Sequence, residues 1–435
     1  MPDDLGNIID LASARPIEQS AWFARLQRND EGAVIPNLAN TIMIFANDPE
    51  LDGLLAYNAF TYQCLLNRPA PKADPADAPL PGPYPRSWEL QDIALTQAYL
   101  QRVWSPRIAA VTVEHAMTAT AANRQFHPIL DWLDGLVWDG KPRLDMWLAA
   151  TFDCENNRYH RAVGAKFLIA AVRRVRQPGC KFDHMLVLEG LQGIGKSRSL
   201  AALFGDEWFS DAIPPDLRSR DAALALLGVW CLEFAEIEHL IRHEVETIKA
   251  FLSRAVDRYR PPYGKDFVTR PRQGVLVGTT NSDDYLRDVS GNRRIWPVRA
   301  KVASPDWLAV NRDQLWAEAC VRESRGETTW LDDEEVAGAA NIAQSARMGD
   351  DPWQSAVDEF LAGKKVVAVT DILTEALFIP RERLTKIHEM RAAGILKKLG
   401  WIKTTRRQKP RRVWLEPGSE PAQEAETEGQ GELIP

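Results

Sequence analysis

Cysteine is scarce in this chain of 435 residues, and its five copies (Cys64, Cys154, Cys180, Cys231 and Cys320) form no CxxC pair. That spacing excludes a disulfide framework and a structural zinc site as the basis of stability. Long apolar runs are missing too, none approaching the ~20 residues of a membrane-spanning helix. The opening "MPDDLGNIID" is acidic where a secretory leader would be basic and then apolar. Together these absences predict a cytoplasmic protein with no membrane partner. Positive charge is not in excess, since 53 Lys and Arg face 60 Asp and Glu for a net charge of -7. This excludes a uniformly basic nucleic-acid coat but not a local basic patch. Histidines number 7, with no HExxH among them. His239 and His243, spaced i,i+4, lack the further ligands a metal centre needs and read as solvated helix residues.

What the chain does have is an ordinary globular composition, 45% hydrophobic and 26% charged, and length for two or three cores. Residues 1–90 carry a helical pattern in "NLANTIMIFAND" and a strand-like "AFTYQCLLN". They close on "PAPKADPADAPLPGPYP", with seven prolines in seventeen residues, which reads as a loop or linker. Residues 91–176 are mostly helical in pattern and end at a Pro-Gly stop. Between 177 and 345 the texture changes. "HMLVLEG", "GVWCLEF" and "GVLVGTTN" are short apolar runs separated by helical stretches, which predicts an α/β fold with a parallel sheet. Residues 350–416 show helices followed by two strand-like pieces around a basic turn. The last segment, 417–435, is acidic and poor in apolar groups, so a disordered tail is expected.

Chemistry enters with "MLVLEGLQGIGKSRSL". Gly190, Gly195, Lys196 and Ser197 stand in the spacing GxxxxGK[ST], after an apolar strand and before a helical pattern. Such a loop, here Gly190 with Gln192 to Arg198 (Gln192, Gly193, Ile194, Gly195, Lys196, Ser197, Arg198), brings backbone N–H groups close to phosphates. Lys196 supplies charge to the β- and γ-oxygens and Ser197 a hydroxyl to Mg²⁺, so ATP with Mg²⁺ is the expected cofactor pair. A second strand, "GVWCLEFAEIEH", carries Glu233 and emerges at Glu236. Glu236 suits the base that orients the attacking water, and Glu233 a helper on the metal side. A third strand ends in Thr279, Thr280 and Asn281, where the amide could touch the γ-phosphate or the water, or only cap a turn.

In this order the motifs resemble the virulence-associated protein E family of phages and mobile islands. That family is similar in turn to the superfamily 3 helicases among the AAA+ ATPases. The resemblance rests on "HMLVLEGLQGIGKS", "WCLEFAEIEHL", "VETIKAFLSRAVDRYRPPYGKDF", "PRQGVLVGTTN" and "SGNRRIWPV". It implies an AAA+-type P-loop core and a ring, hexameric by expectation, that hydrolyses ATP at subunit interfaces to move on or unwind DNA in a bacterial host. It also implies Asn281 as sensor and places Arg293 and Arg294 where an arginine finger would stand. The acidic strand lacks an Asp-Glu pair, which leaves the division of labour between Glu233 and Glu236 open. Too few residues precede the helical region for a primase, so priming would fall to a separate protein.

Two segments suit single-stranded or forked DNA. "AVDRYRPPYGKDFVTRPR" reads as a hairpin with Lys265 at its tip and Arg258, Arg260, Arg270 and Arg272 on its arms. In superfamily 3 rings a hairpin in this position lines the channel and grips the backbone through phosphate charge. "LKKLGWIKTTRRQKPRR" holds eight Lys or Arg in seventeen residues, including Arg406, Arg407, Lys409, Arg411 and Arg412. Helices followed by such a ribbon suggest a small winged-helix-like domain. Two other functions share the phosphate motif. A DNA-binding ATPase acting as an assembly or regulatory switch would use every feature above. A small-molecule kinase would leave the arginine pair and both basic segments without a task.

Overall fold

The computed structural model describes residues 21–418 except 73, 75, 77, 263–265, 287–291, 349–351 and 409–410. The acidic tail expected beyond 418 therefore lies outside the described residues. In chain order, α1 (Leu38–Asn47), β1 (Leu55–Asn58), β2 (Gln63–Leu66), β3 (Arg86–Ser87), α2 (Leu90–Val103), α3 (Ala110–Ala122) and β4 (Gln125–Phe126) come first. The four strands form a sheet in the order β3-β2-β1-β4, with β1–β4 parallel and the other pairs antiparallel. The helices expected over residues 91–176 begin with α2 and α3, and a small sheet that the sequence did not announce packs beside them. Of "AFTYQCLLN" (59–67) only Gln63–Leu66 is strand, and β1 lies just before this run. Asn58 Oδ1 accepts the N–H groups of Phe60 and Thr61, an Asx turn that ends β1 before β2 begins. The proline-rich stretch connects β2 to β3, which pair at Leu65 and Ser87, so it is a loop within one sheet. Ile44, Phe45, Leu54, Leu66, Leu100 and Met117 pack together as the core beneath it.

The second region opens with three helices, α4 (Pro128–Asp134), α5 (Trp147–Phe152) and α6 (Arg158–Arg176). Next come β5 (Met185–Glu189), α7 (Lys196–Phe204), β6 (Phe209–Ser210), α8 (Arg220–Leu224), β7 (Cys231–Phe234) and α9 (Ile237–Ser253). A ribbon of β8 (Val256–Tyr259) and β9 (Val268–Pro271) precedes β10 (Val275–Thr280), β11 (Ile295–Arg299), α10 (Pro305–Ser324) and α11 (Glu334–Ser345). The sheet order is β11-β5-β10-β7-β6, and every neighbouring pair runs parallel. The expected α/β class with a parallel sheet is what the chain forms.

Alternation along the strands divides the core. Leu186, Leu188, Val275 and Val277 face α6, α7 and α10, whereas Met185, Val187, Leu276 and Phe234 face the layer containing α9. Glu233 lies two residues from Cys231, hence on the α7 side. The edge strand β11 contains Pro297, which has no N–H to give; β11 pairs only with β5, so none is missed on its outer side.

Beyond α11 lie α12 (Gln354–Leu361), β12 (Val366–Ala368), α13 (Val369–Asp371), α14 (Lys386–Lys398), β13 (Ile402–Gln408) and β14 (Arg411–Leu415). The two strands expected around the basic turn are present, and β12 adds a third to give the order β12-β14-β13. Val357, Ile372, Leu396, Trp401 and Trp414 fill the core of this unit. Among the described residues no helix is long and apolar enough to cross a membrane.

Candidate functional site

Three parallel strands deliver their C-terminal ends to one cleft of about 280 Å³. Its walls are Gln192, Gly193, Gly195 to Arg198, Ala235, Glu236 and Thr279 to Asn281. The sequence motifs thus converge, because β10 lies between β5 and β7 and carries Thr279 past both. Gly190 turns the chain out of β5 with φ +153°, and a Cβ there would sit 2.3 Å from the Ala300 carbonyl oxygen. Gly195, with φ +98°, is the N-cap of α7. Only glycine takes that angle without strain while opening a helix whose N–H groups face the cleft. Ile194 packs against the core and anchors the loop, while Gln192 and Gly193 are exposed.

Lys196 is nearly buried, at 8% exposure. Its Nζ donates to the Gly190 carbonyl at 2.6 Å, the Leu191 carbonyl at 2.9 Å and Asn281 Oδ1 at 3.2 Å. Burial lowers its pKa from the ordinary lysine value, and the Glu233 and Glu238 carboxylates oppose that shift. Three neutral oxygens hold one ammonium, an arrangement that phosphate oxygens can replace with gain.

Glu233 is fully buried. Its Oε1 accepts from Ser197 Oγ at 2.8 Å and from Thr279 Oγ1 at 2.5 Å. Its Oε2 has no hydrogen-bond partner. A buried carboxylate costs several kcal/mol unless paired, so an orphaned oxygen beside the Ser197 hydroxyl fits a site built for a cation or its bound water. Glu236 stands at the N-cap of α9 in the left-handed region, φ 49° and ψ 46°, and is exposed on the cleft wall. For a residue with a Cβ this costs on the order of 1–3 kcal/mol, and such strain persists where it aims a side chain. Arg198 also faces the cleft.

Arg293 and Arg294 are not part of this cleft. They form a short 3-10 turn, Asn292–Arg294, ahead of β11. Because Ile295 is in register with Met185 and Glu189 with Arg299, the pair lies at the opposite end of the sheet from Gly190. Six or so residues of strand make that about 20 Å. Arg294 is engaged within the chain, its Nε 3.3 Å from Asp183. Arg293 is exposed. Beside them His184 stacks on Trp296 with ring centroids 4.4 Å apart.

Burial pulls the His184 pKa down to about 4; Asp183 opposes the shift, while Arg294, Arg293 and Lys181 reinforce it. Since the unfolded chain binds this proton near the ordinary 6.5 and the folded chain does not, stability is present above pH 6.5 and falls as pH drops toward 4. Thermal melts at pH 7 and pH 5 are expected to show a smaller loss in His184→Gln than in the wild type. Equal losses in the two proteins would remove this account of the arginine turn.

Of the expected DNA contacts, Arg258 and Arg260 are exposed on β8 and just after it, and Lys265 lies outside the described residues. Two arm residues need correction. Arg272 is buried and pairs with Asp257 at 2.6 and 2.9 Å, and Arg270 packs 4.1 Å over the Tyr62 ring. At the C-terminal end, β13 and β14 pair Arg407 with Arg412. The side chains of Arg406, Arg407, Arg411 and Arg412, and all of Lys409, lie outside the described residues. So do the side chains of His239 and His243; among the described residues no group of three or more His, Cys, Asp or Glu could hold a metal ion.

Sequence reading missed two features of the site. Thr279 stood at a strand end with nothing to show that it holds Glu233. Glu189, the residue before Gly190, accepts from Tyr285 Oη at 2.9 Å and forms a two-pronged pair with Arg347 at 2.7 Å each. A charged residue closing an apolar strand was the only signal, and its partner lies 158 residues away.

Comparison with known proteins adds the following. Residues 133–348 match the family model of the virulence-associated protein E-like domain. The chain is similar to an apo structure of the NrS-1 C-terminal region at 11% identity, with a TM-score of 0.44, covering 83% of this chain and 95% of that one. An A form apo structure of the same region matches at 12% identity and a TM-score of 0.41, over 83% of this chain and 96% of that one. No curated protein matches.

Proposed function

Since the chain belongs, through residues 133–348, to the virulence-associated protein E-like family, we propose that it is an ATP-dependent DNA helicase or translocase of a phage or other mobile element. On this reading the parallel-sheet region is a P-loop ATPase core of the AAA+ superfamily 3 kind, at work as a ring, expected to be hexameric, in the cytoplasm of a bacterial host. The observation that carries it is the junction of Ser197 and Thr279 on Glu233 Oε1, with Oε2 of the same carboxylate orphaned, next to Lys196.

The residues divide the work by position. Lys196 exchanges its carbonyl acceptors for phosphate oxygens, while the N–H groups of the 190–198 loop take the remaining phosphate charge. Ser197 Oγ and, through water, Glu233 would hold Mg²⁺, which would supply charge neutralisation at the phosphates. Glu233 is tied to Ser197 and Thr279, which suits it to the metal side. Glu236, exposed and held by its backbone, suits the group that accepts the proton of the attacking water. Asn281, already bonded to Lys196, orients that water against the γ-phosphate. Arg293 completes the site of the neighbouring copy. Arg258, Arg260 and Lys265 on the β8–β9 ribbon, and the basic strands of a winged-helix-like C-terminal unit, hold DNA by backbone charge.

The test is ATP turnover measured together with oligomeric state, with and without single-stranded DNA. An oligomer whose turnover rises with DNA is expected, and a monomer indifferent to DNA would sink the motor reading. DNA-stimulated turnover without strand displacement would instead select the assembly switch.

A further inference from the structure

The β8–β9 ribbon is a sheet of only two strands, and such a pair is marginal in water unless one of its faces is packed. Part of what it packs on comes from the far end of the sequence, the loop between β1 and β2. We propose that the N-terminal sheet braces the ribbon through Tyr62, a positioning residue that keeps Arg258 turned outward. The brace deepens the DNA-motor reading and rests on it for the task of the ribbon.

Strand register sets the two faces of the ribbon. Asp257 stands opposite Arg270 and Tyr259 opposite Val268, so these four share one face, while Arg258 and Thr269 share the other. Asp257 and Tyr259 are buried, and Arg258 and Thr269 are exposed. From the inner face Arg270 brings its guanidinium to 4.1 Å from the centroid of the Tyr62 ring. The Tyr62 hydroxyl donates to the Pro271 carbonyl at 3.4 Å and accepts from Gln273 Nε2 at 3.1 Å. Burial raises the pKa of that hydroxyl, and Gln273 and then Arg270 oppose the rise, so it stays a neutral donor. Gln273 Nε2 also reaches the Ala59 carbonyl at 3.3 Å, and its Oε1 lies 2.7 Å from His127 Nε2. His127 Nδ1 accepts the Leu130 N–H, which leaves the ring proton on Nε2 to donate to Gln273. Residues 59–62 and His127 thus grip 270–273, the junction between the ribbon and β10.

Tyr62 is strained to make this reach. Its φ of 58° lies in the left-handed region, which a residue with a Cβ adopts only at a cost in free energy. A loop that had only to join β1 to β2 would place glycine or asparagine there. A tyrosine persists at such an angle where the surrounding contacts aim its side chain, and here they aim it at the ribbon. The loop is also pressed on the segment before β7, since a Cβ on Gly228 would meet Thr61 Cγ2 at 2.9 Å. Removing the ring takes the support from Arg270 and opens the inner face to water. Arg258, on the other face of the same two strands, then loses its fixed direction.

The experiment is hydrogen exchange read by mass spectrometry on the full chain, without nucleotide or DNA, in wild type, Tyr62→Ala and Tyr62→Phe. The β8 and β9 amides are expected to exchange roughly 2- to 30-fold faster in Tyr62→Ala, the range for losing a ring from beneath a cation. Tyr62→Phe keeps the ring and should stay near the wild-type rate, and the amides of β5 and α7 should not change. ATP turnover of the same proteins is then followed against the concentration of single-stranded DNA. Tyr62→Ala should need more DNA for half-maximal stimulation, by a similar factor, with turnover in the absence of DNA unchanged. A general loss of stability would not split the two in this way. Unchanged ribbon exchange in Tyr62→Ala would overturn the brace, as would equal acceleration throughout the chain in both variants. A loosened ribbon with the same DNA dependence as the wild type would overturn the positioning role. Wild-type turnover indifferent to DNA would end the motor reading, and the exchange rates would still decide the brace.

Discussion

An Arg293→Ala protein is expected to hydrolyse ATP about 10³-fold or more slowly than the wild type while still binding it. The size of the effect follows from what the residue would do. A guanidinium brought against the transferring phosphoryl group stabilises charge that develops only in the transition state, so its loss falls on turnover and spares binding. The position decides which nucleotide is served. Arg293 precedes β11, which runs parallel to β5, and it stands at the far end of the sheet from Gly190. It cannot reach its own cleft. Arg294 is committed to Asp183 within the chain, so the exposed Arg293 is the residue available to a second copy.

Mixing makes the test specific. Arg293→Ala and Glu236→Ala proteins are each expected to be inactive alone. In randomly mixed rings about a quarter of the interfaces join an intact Glu236 to an intact Arg293, and turnover should recover toward that fraction. A site complete within one chain would recover nothing, and no recovery despite confirmed mixing would refute the shared site.

How far the sequence foretold this arrangement depends on whether the deciding contacts are local. The strand, glycine turn and helix around Lys196 were readable because they are contiguous in the sequence. Glu233 was readable as an acid on a buried strand, but its side of the sheet came from where Cys231 packs. That Thr279 shares its carboxylate oxygen depends on β10 lying between β5 and β7, an order that no local pattern encodes.

Short strands were lost for a different reason. β3, β4 and β6 have two residues each, too few to show a period, and β11 was obscured by Pro297 until its edge position explained the proline. The N-terminal sheet was missed because β1 lies before the run that looked strand-like, set apart from β2 by an Asx turn at Asn58. In the ribbon, four arginines looked equivalent. Burial separates them, leaving Arg258 and Arg260 on the surface and fixing Arg272 inside beside Asp257.

Replacing Arg347 with alanine is expected to lower the free energy of unfolding by about 3–5 kcal/mol, the cost of stripping a buried charge of its partner. Glu189 is 1% exposed, and both its oxygens face the Arg347 fork at 2.7 Å. Without the guanidinium, among the described residues only the Tyr285 hydroxyl at 2.9 Å remains to solvate the carboxylate. Tyr285 cannot take over the charge balance. Burial first, and then Glu189 itself, push its phenol well above the ordinary value, so it stays a neutral donor.

The pair also joins three parts of the candidate site. Arg347 follows α11 and its carbonyl accepts the Leu286 N–H, while Gln344 Nε2, on α11, donates to the Ile295 carbonyl just after the arginine turn. Glu189 sits one residue before Gly190. Loosening this clamp is therefore expected to weaken ATP binding as well as stability, although neither residue touches the cleft. Urea unfolding followed by tryptophan fluorescence measures the first effect, and nucleotide titration the second. A Glu189→Gln, Arg347→Met double variant discriminates the cause. If the loss comes from an unpaired buried charge, the double variant should be more stable than Arg347→Ala, because it leaves no charge stranded. If the double variant is as unstable as the single one, the clamp acts through packing alone.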